Sequence, residues 1–297
     1  MWRCILAISL SVMWLGAGCS DDSPINGNGP QPVSDTIHVP ADMPDIQMAI
    51  DTAADGQLVL VAPGTYIGSG NRDIDFRGKR IGVRSADGPA TTILDLQGSA
   101  DTNHTGFVFF SGETPESELD GFTIRGGYGP NGAGIGMLNS SPTIRNCIFV
   151  ANTAYASGGV IHCKSSSPTI ESCTFSDNAA PVGSAVFCIA GSSPRLENCL
   201  LAFAGEGEAV YCSDQINNPV LICCDVYGNA GGDWADCIAG QADSVGNLSA
   251  DPAFCHRGSG DYHLQPGSPC AATNNSCGSL IGALDVHCTR SSVAPPH

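Results

Sequence analysis

A repeat of 25 to 26 residues between Gly134 and Asn229 limits what this chain can fold into. The segments SSPTIRNCIFVAN, SSPTIESCTFSDN, SSPRLENCLLAFA and NNPVLICCDVYGN align without gaps. The aligned columns are Pro142, Pro168, Pro194 and Pro219, then Cys147, Cys173, Cys199 and Cys224, and upstream Met137, Cys163, Cys188 and Cys212. Small or apolar columns at one constant period predict a solenoid, in which successive coils bury a continuous core.

Each repeat contains three short runs of alternating apolar residues, separated by Ser, Pro, Gly and Asn. In one repeat these runs begin at Val160, Pro168 and Cys173. Such runs are too short for helices and alternate as strands do. Three strands and three bends in each coil predict a parallel β-helix, whose equivalent strands stack about 4.8 Å apart.

Asparagine recurs at two of the predicted bends. Asn152, Asn178 and Asn229 share a column just after the third strand, and Asn146 and Asn198 share one just before it. Asparagine tolerates the left-handed backbone conformation and can hydrogen-bond to its neighbours in a stack. We therefore expect asparagine ladders along these bends.

This pattern resembles the right-handed parallel β-helix proteins of the pectate-lyase-like superfamily. The fold class that we predict is all-β, a right-handed single-stranded parallel β-helix of about seven coils with an N-terminal capping helix. The superfamily contains polysaccharide lyases, glycoside hydrolases, epimerases and adhesins. The resemblance therefore implies a fold and leaves the function open.

The chain divides into an export region, one folded domain and a tail. We predict a signal peptide at 1–18, a flexible tether at 19–35, a β-helix domain at 36–288 and a disordered tail at 289–297. Within the domain, 36–57 forms a cap, 58–229 the coils and 230–288 an irregular, cysteine-rich end. The context of Cys19 resembles a bacterial lipoprotein processing site, which implies a lipid anchor at the outer membrane or cell surface. The alternative is ordinary cleavage and secretion.

Two segments flank the regular repeats. Residues 45–54 place apolar side chains on one helical face, which predicts an amphipathic helix over the open end of the solenoid. In the early coils, Ile93 and Leu94 are both expected to point inward. Near the other end, Asp261 to Leu264 is expected to add a last strand.

Cysteine is unusually abundant, with 15 residues, of which 13 remain once Cys4 and Cys19 are set aside. An odd number requires at least one free thiol. We expect the two repeat columns to hold mostly reduced, packed thiols. Disulfide bonds are expected among the cysteines of the irregular end, which are Cys237, Cys255, Cys270, Cys277 and Cys288.

The formal net charge is −17, with only 12 basic residues. This balance argues against nucleic acid or an anionic membrane as a partner, so any membrane contact would be through the lipid anchor. It also disfavours polyanionic polygalacturonate, which related enzymes usually take with calcium and a basic residue. The sequence shows no paired metal-knuckle spacing, so we predict no metal site and identify no cofactor, with Ca²⁺ a candidate only if the protein is a lyase.

Three surface groups are candidate sites. His162, Phe187 and Tyr211 form an outward column on the first strand and would offer aromatic rings to sugars. Arg145, Glu171 and Glu197 form an outward polar column on the second strand, which is either a site or a solvated ion-pair ladder. A third group of charges lies between Arg72 and His104 and includes Arg77-Gly78-Lys79, which superficially matches a hydrolase motif.

We therefore predict a monomeric surface β-helix protein that contacts polysaccharide or cell-envelope glycan through His162, Phe187 and Tyr211, without a catalytic constellation. One alternative is a polysaccharide lyase or another carbohydrate-active enzyme, with its site among residues 72–104 or around Arg145, Glu171 and Glu197. A second alternative is a structural or adhesive envelope protein. Lyase and hydrolase chemistry both need acidic and basic side chains in register on neighbouring coils.

Overall fold

The computed structural model describes residues 35–288. In chain order the strands are β1 (Thr36–Val39), β2 (Leu58–Val61), β3 (Gly64–Tyr66), β4 (Ile74–Asp75), β5 (Gly82–Ser85), β6 (Thr92–Asp95), β7 (Phe107–Phe109), β8 (Glu118–Asp120), β9 (Thr123–Arg125), β10 (Tyr128–Gly129), β11 (Ile135–Leu138), β12 (Thr143–Arg145) and β13 (Ile148–Val150). They continue with β14 (Thr153–Ala154), β15 (Ile161–Lys164), β16 (Thr169–Glu171), β17 (Thr174–Ser176), β18 (Val186–Ile189), β19 (Arg195–Glu197), β20 (Leu200–Ala202), β21 (Val210–Cys212), β22 (Val220–Ile222), β23 (Asp225–Tyr227), β24 (Phe254–His256) and β25 (Asp261–Leu264). One α-helix, α1 (Ile46–Thr52), and two 3₁₀ helices, Asp236–Gln241 and Arg257–Ser259, complete the described elements.

Three parallel sheets run along the solenoid, and each coil adds one strand to each of them. Sheet A has the order β1-β2-β5-β8-β12-β16-β19-β22, sheet B β3-β6-β9-β13-β17-β20-β23, and sheet C β4-β7-β11-β15-β18-β21. This is the predicted right-handed parallel β-helix of about seven turns. A two-stranded parallel sheet, β10-β14, lies at the bend between sheets B and C of two adjacent coils.

The repeat columns of the sequence are columns of the structure. Met137 pairs with Cys163, which pairs with Cys188, which pairs with Cys212. Alternate residues of each strand point inward, and the largest buried side chains are Phe76, Phe107, Phe109, Phe122, Phe149 and Phe175. Phe149 and Phe175 stack with ring centroids 4.8 Å apart, which matches the spacing between neighbouring strands. The constant period therefore stacks similar side chains on one another through the core.

The predicted asparagine ladders are present at the bends. Asn178 accepts a hydrogen bond through Oδ1 from the backbone N–H of Asn152 at 3.0 Å, and its Nδ2 donates to the Phe149 carbonyl at 2.9 Å. Asn229 donates in the same way to Leu201. At the bend before the third strand, Asn146 and Asn198 have positive φ angles of 50° and 53°. Asparagine side chains thus satisfy backbone groups that the bends leave unpaired.

The N-terminal helix forms where the sequence predicts it. Asp45 caps α1 by accepting a hydrogen bond from the Met48 backbone N–H at 2.8 Å. The helix buries Ile46, Ala49 and Ile50, which join the same apolar core as the first coils. None of the helices formed by residues 35–288 is long and apolar enough to cross a bilayer.

The C-terminal segment folds back along the outside of the solenoid. Asp261–Leu264 forms a strand, as predicted. This strand, β25, pairs antiparallel with β24 and is not part of the parallel sheets A, B and C. A second apolar cluster holds this segment against the outer face of sheet B; its buried members are Ile148, Val150, Leu200, Ala202, Phe254, Tyr262, Leu264, Cys270 and Ile281. Apolar residues on the outer face of sheet B made this cover necessary, because they would otherwise face water.

The disulfide bonds differ from the prediction. They join Cys212 to Cys237, Cys223 to Cys277, and Cys255 to Cys288. Only the last bond lies within the set expected at the irregular end, and Cys270 is a free, buried thiol. The other two bonds attach the end to the last coils of the solenoid. Cys147, Cys163, Cys173, Cys188, Cys199 and Cys224 carry free, buried thiols, as expected for the repeat columns.

The predicted signal peptide, the lipidated Cys19, residues 20–34 of the tether and the tail at 289–297 lie outside the described residues.

Candidate functional site

The three rings predicted to contact a glycan lie in one column on the outer face of sheet C. Strand pairing places His162, Phe187 and Tyr211 in register on β15, β18 and β21. The ring centroids of His162 and Phe187 are 5.2 Å apart, and those of Phe187 and Tyr211 are 5.6 Å apart. Both pairs are stacked, with interplanar angles of 9° and 24°. The rings therefore contact each other face to face along the solenoid.

Stacking removes most of the ring surface that a sugar could use. Phe187 is only 5% exposed, so the exposed position expected for it is wrong. The bend at Gly158 also passes close by, since a Cβ there would lie 2.5 Å from His162 Cδ2. Burial, together with the charge of Lys164, lowers the pKa of His162 and favours the neutral ring. Only the outer faces of His162 and Tyr211 remain for a ligand on this column.

The predicted polar column on sheet A is also in register, with Arg145 beside Glu171 and Glu171 beside Glu197. Arg145 directs Nη2 toward Glu118 Oε2 on the preceding strand, at 3.5 Å. Glu197 accepts a hydrogen bond from Arg195 Nη2 at 2.8 Å. Arg145 and Glu197 thus have ion-pair partners outside the column, on a partly solvated face, where such pairs contribute at most about 1 kcal/mol each.

Charged side chains of the early coils form hydrogen bonds and ion pairs with the neighbouring helix α1. Lys79 donates hydrogen bonds from Nζ to the carbonyl oxygens at the end of α1, at 2.7–2.8 Å; these belong to Ile50, Asp51 and Ala53. Arg77 pairs with Asp51 at 3.0 Å. A cation at a helix C-terminus stabilises the exposed carbonyl groups there. The Arg77-Gly78-Lys79 segment therefore holds the capping helix in place.

A groove that the sequence did not predict lies between the outer face of sheet B and the C-terminal segment. Its volume is about 510 Å³. One wall carries side chains of β6, β9 and β13, and the other is formed by residues 258–263 and Leu284. We call it the sheet B groove. A volume of this size is typical of small-ligand sites.

The sheet B groove exists because the cover on the outer face of sheet B stops at β13. From β13 onward the C-terminal segment covers this face, both the apolar Ile148 and Val150 of β13 and the polar Thr174 of β17. On β6 and β9 the same face carries Asp95 and Arg125, which remain partly exposed. Ile93, expected to point inward, instead faces the groove, while Leu94 is buried. The step at the edge of the cover is the groove.

The charged side chains that line the groove are Arg125, Asp261 and His263, and Arg125 pairs with Asp95 outside the lining. Arg125 donates from Nε and Nη2 to Asp95 Oδ2, at 3.2 and 2.9 Å. On the opposite wall, His263 Nδ1 lies 2.7 Å from Asp261 Oδ1. Burial alone would raise the pKa of Asp261, but hydrogen bonds from His263 outweigh it and lower the pKa overall. The groove therefore offers fixed carboxylates and cations beside the apolar side chains of Ile93 and Leu284.

The wall formed by the C-terminal segment is anchored on the solenoid. Tyr262 donates its hydroxyl to Asp177 Oδ2 at 3.1 Å, and Arg257 pairs with the same carboxylate at 3.3 Å. The Arg257 guanidinium also lies 3.9 Å from the centre of the Phe203 ring. These contacts fix the position of Asp261 and His263, so the groove has a defined shape.

No repeat of the sequence pointed to this groove. Its two walls are more than 100 residues apart in the chain, as Ile93 and Asp261 illustrate. The only local signal was the alternation of Asp261, Tyr262, His263 and Leu264, which predicted a strand but not its position. Within residues 35–288, no three His, Cys, Asp or Glu side chains converge in a way that could hold a metal ion.

The family model that matches this chain describes the same fold as the structure. The family model described as "Right handed beta helix region" matches residues 91–248. A crystal structure of the pectate lyase Pel9A matches with a TM-score of 0.41 and 17% sequence identity, over 61% of this chain and 57% of that one. The chain thus spans little more than half of the length of that lyase. A search of curated proteins gave no significant match.

Proposed function

Since this chain belongs to the right-handed beta helix family, we propose that it is a non-catalytic carbohydrate-binding protein of the cell exterior. The observation that carries the proposal is the sheet B groove, in which apolar side chains alternate with fixed charged pairs. A sugar has hydroxyl groups that donate and accept hydrogen bonds, and C–H faces that pack on apolar side chains. The groove offers partners for both.

The chemistry of the groove favours binding over catalysis. Acid–base catalysis requires a group that can take or give a proton to the substrate. Arg125 and Asp95 are bonded to each other, and so are His263 and Asp261. Ion-paired groups retain lone pairs and N–H donors that sugar hydroxyls can use. We therefore assign the groove a recognition role.

Location outside the cytoplasm is part of the proposal. Three disulfide bonds within residues 35–288 support it, because such bonds persist in oxidising compartments. The predicted signal peptide is consistent with export from the cytoplasm. We propose that the protein is a monomer held at the outer membrane or cell surface by a lipid on Cys19, with secretion as the alternative.

One observation favours an enzyme instead. His263 lies in the groove with its orientation set by Asp261, and its Nε2 is 3.9 Å from Asp285 Oδ1. A histidine held in this way by a carboxylate is a common arrangement for a general base. The alternative function is therefore a carbohydrate-active enzyme, a polysaccharide lyase or a glycoside hydrolase.

A single experiment separates binding from catalysis. The purified protein is incubated with insoluble neutral and uronate polysaccharides, and bound protein, reducing ends and the ultraviolet absorbance of unsaturated uronides are measured together. We expect retention on a glycan without new reducing ends or absorbance. We expect Arg125→Ala to weaken retention about tenfold, since a hydrogen bond to a charged group contributes about 1.5–3 kcal/mol.

The matched control is Arg195→Ala. It removes an arginine from a comparable exposed ion pair on sheet A, 48% exposed against 45% for Arg125, and should leave retention unchanged. Release of product that is lost in His263→Ala would instead establish the enzyme. Equal loss of retention in both arginine variants would rule out the groove as the binding site.

A further inference from the structure

Two tyrosine rings pack against each other, tilted, on the solenoid surface near the sheet B groove. Tyr128 begins β10 and Tyr155 directly follows β14, and their ring centroids are 5.3 Å apart with an interplanar angle of 31°. Tyr155 is 47% exposed, so one face of the pair is open to solvent. We call these residues the tyrosine pair. They provide the exposed aromatic surface that the stacked column on sheet C lacks.

The tyrosine pair continues the wall of the groove. Arg125, which lines the groove, ends β9, and Tyr128 follows it by three residues on the same coil. Three residues span at most about 10 Å, and less here because the chain bends at Gly126, whose φ is 68°. On the next coil Ala151 lines the groove and Tyr155 follows after four residues. A chain molecule that occupies the groove can therefore reach the tyrosine pair without crossing another element of the fold.

Polar side chains surround the tyrosine pair as they do the groove. Asn103, which is exposed, donates from Nδ2 to the Tyr155 hydroxyl at 3.2 Å. His104 Nδ1 lies 2.8 Å from Asp73 Oδ2, and the backbone of His104 is bonded in both directions to that of Tyr128. An open ring face with an amide at its edge suits a sugar ring, because the C–H face stacks while the hydroxyl groups meet the amide.

Charge at this surface disfavours an acidic ligand. Among the described residues, Arg125 and His263 in the groove and His104 beside the tyrosine pair each have a carboxylate partner. Asp101 adds an exposed negative charge close by in the sequence, and the whole chain carries −17. A polyanion would be repelled by the excess of carboxylates. A neutral sugar meets no such barrier.

We propose that the ligand is a neutral glycan chain that spans both features, with one part in the sheet B groove and another stacked on Tyr155. This inference rests on the proposed function and narrows it. It specifies an uncharged polymer and a minimum length of several sugar units, because a single sugar cannot fill the groove and reach the tyrosine pair. Binding should consequently be independent of calcium and only weakly dependent on salt.

The test is a calorimetric titration of the purified protein with length series of oligosaccharides. The probes are gluco-, xylo- and manno-oligosaccharides of two to six units, and galacturonate oligosaccharides of the same lengths with and without calcium. We expect at least one neutral series to bind with an affinity that rises with length. We expect Tyr155→Ala to remove the gain of the longer chains, about three- to tenfold, and to leave the shortest unchanged.

Two further variants make the result specific. Tyr155→Phe keeps the stacking face and should retain most of the gain, which separates stacking from a folding defect. Phe110→Ala removes a ring of similar exposure, 55%, and should have no effect. Phe110 lies outside the groove and the tyrosine pair.

Each outcome decides between the proposals. If neutral chains bind and Arg125→Ala weakens them while Tyr155→Ala does not, the spanning mode is wrong and the proposed function stands. Tighter binding of galacturonate than of every neutral series would overturn the neutral-ligand inference. If no glycan of any kind binds, here or as an insoluble polymer, both proposals fall together.

Discussion

Asp225 is the residue at which burial and charge conflict most directly. It lies on the outer face of sheet B, and the C-terminal segment covers it completely. Its carboxylate accepts hydrogen bonds from the Ala250 backbone N–H and from Cys270 Sγ, both at 3.1 Å. Burial raises the pKa of Asp225 from 3.8 to about 6, against the lowering effect of these hydrogen bonds.

This shift predicts that Asp225 weakens the fold as the pH rises. Because the folded-state pKa is above the unfolded one, the stabilising contribution is complete below about pH 4 and is lost as the pH passes through about 6. In Asp225→Asn the side chain stays neutral. We expect its free energy of unfolding, relative to the natural protein, to increase by about 2.5 kcal/mol between pH 4 and pH 8.

Urea titrations of both proteins at a series of pH values measure this difference. Ile281→Val is the control, since Ile281 is buried in the same cover and the change removes no titratable group, so its difference should not change with pH. A constant difference for Asp225→Asn as well would show that the carboxyl titrates normally and that its surroundings are wetter than the structure indicates.

At the scale of elements, the antiparallel hairpin of β24 and β25 connects stability to the site. Leu264 in β25 is 1% exposed and belongs to the apolar cluster under the C-terminal segment. Asp261 and His263 of the same strand carry one wall of the sheet B groove. Loosening the hairpin should therefore open the groove without disturbing the solenoid core.

We expect Leu264→Ala to cost about 3 kcal/mol locally, through lost burial and the cavity that remains. Hydrogen exchange should become faster in β24 and β25 and stay unchanged in β13 and β17, and glycan binding should weaken in parallel. Ile216→Ala, at a side chain that is 70% exposed, serves as the control and should change neither quantity. Faster exchange throughout the solenoid would mean that the hairpin and the coils unfold as one unit.

At the scale of the whole molecule, the two cysteine columns act as parts of one continuous core. Their free thiols are buried, and burial raises the pKa of Cys163 and Cys173, and that of Cys188 to about 12. A thiol reacts as the thiolate and needs contact with solvent. Contact with solvent is absent for these thiols while the coils stay stacked.

We therefore expect an alkylating reagent at neutral pH to leave the seven free thiols of residues 35–288 unlabelled in the native protein. In denaturant the six column thiols should react together, because no coil can expose its cysteine without separating from its neighbours. Peptide mass spectrometry identifies the labelled sites, and the six disulfide-bonded cysteines should react only after reduction. Labelling of one column before the other would show that parts of the solenoid open separately.

Much of the solenoid could be predicted from the sequence because each coil repeats the same pattern of strands and bends. The spacing of Cys163, Cys188 and Cys212 set the register directly, and the asparagines at 152, 178 and 229 marked a bend whose hydrogen bonds run between neighbouring coils. The same spacing placed His162, Phe187 and Tyr211 in line. It could not show that Phe187 would be buried, since that depends on rings stacking and on the bend at Gly158.

The repeat period is enough to predict the fold class, the inward columns and the surface columns. The position of the non-repeating end is known only from the folded chain, and with it the disulfide partners of Cys237 and Cys277, the cover over sheet B and the groove at its edge. The two kinds of contact differ in how far apart their residues are in the chain. Coil stacking joins residues a fixed distance apart in the chain, whereas the groove joins Ile93 to Asp261 through apolar packing that no local pattern encodes.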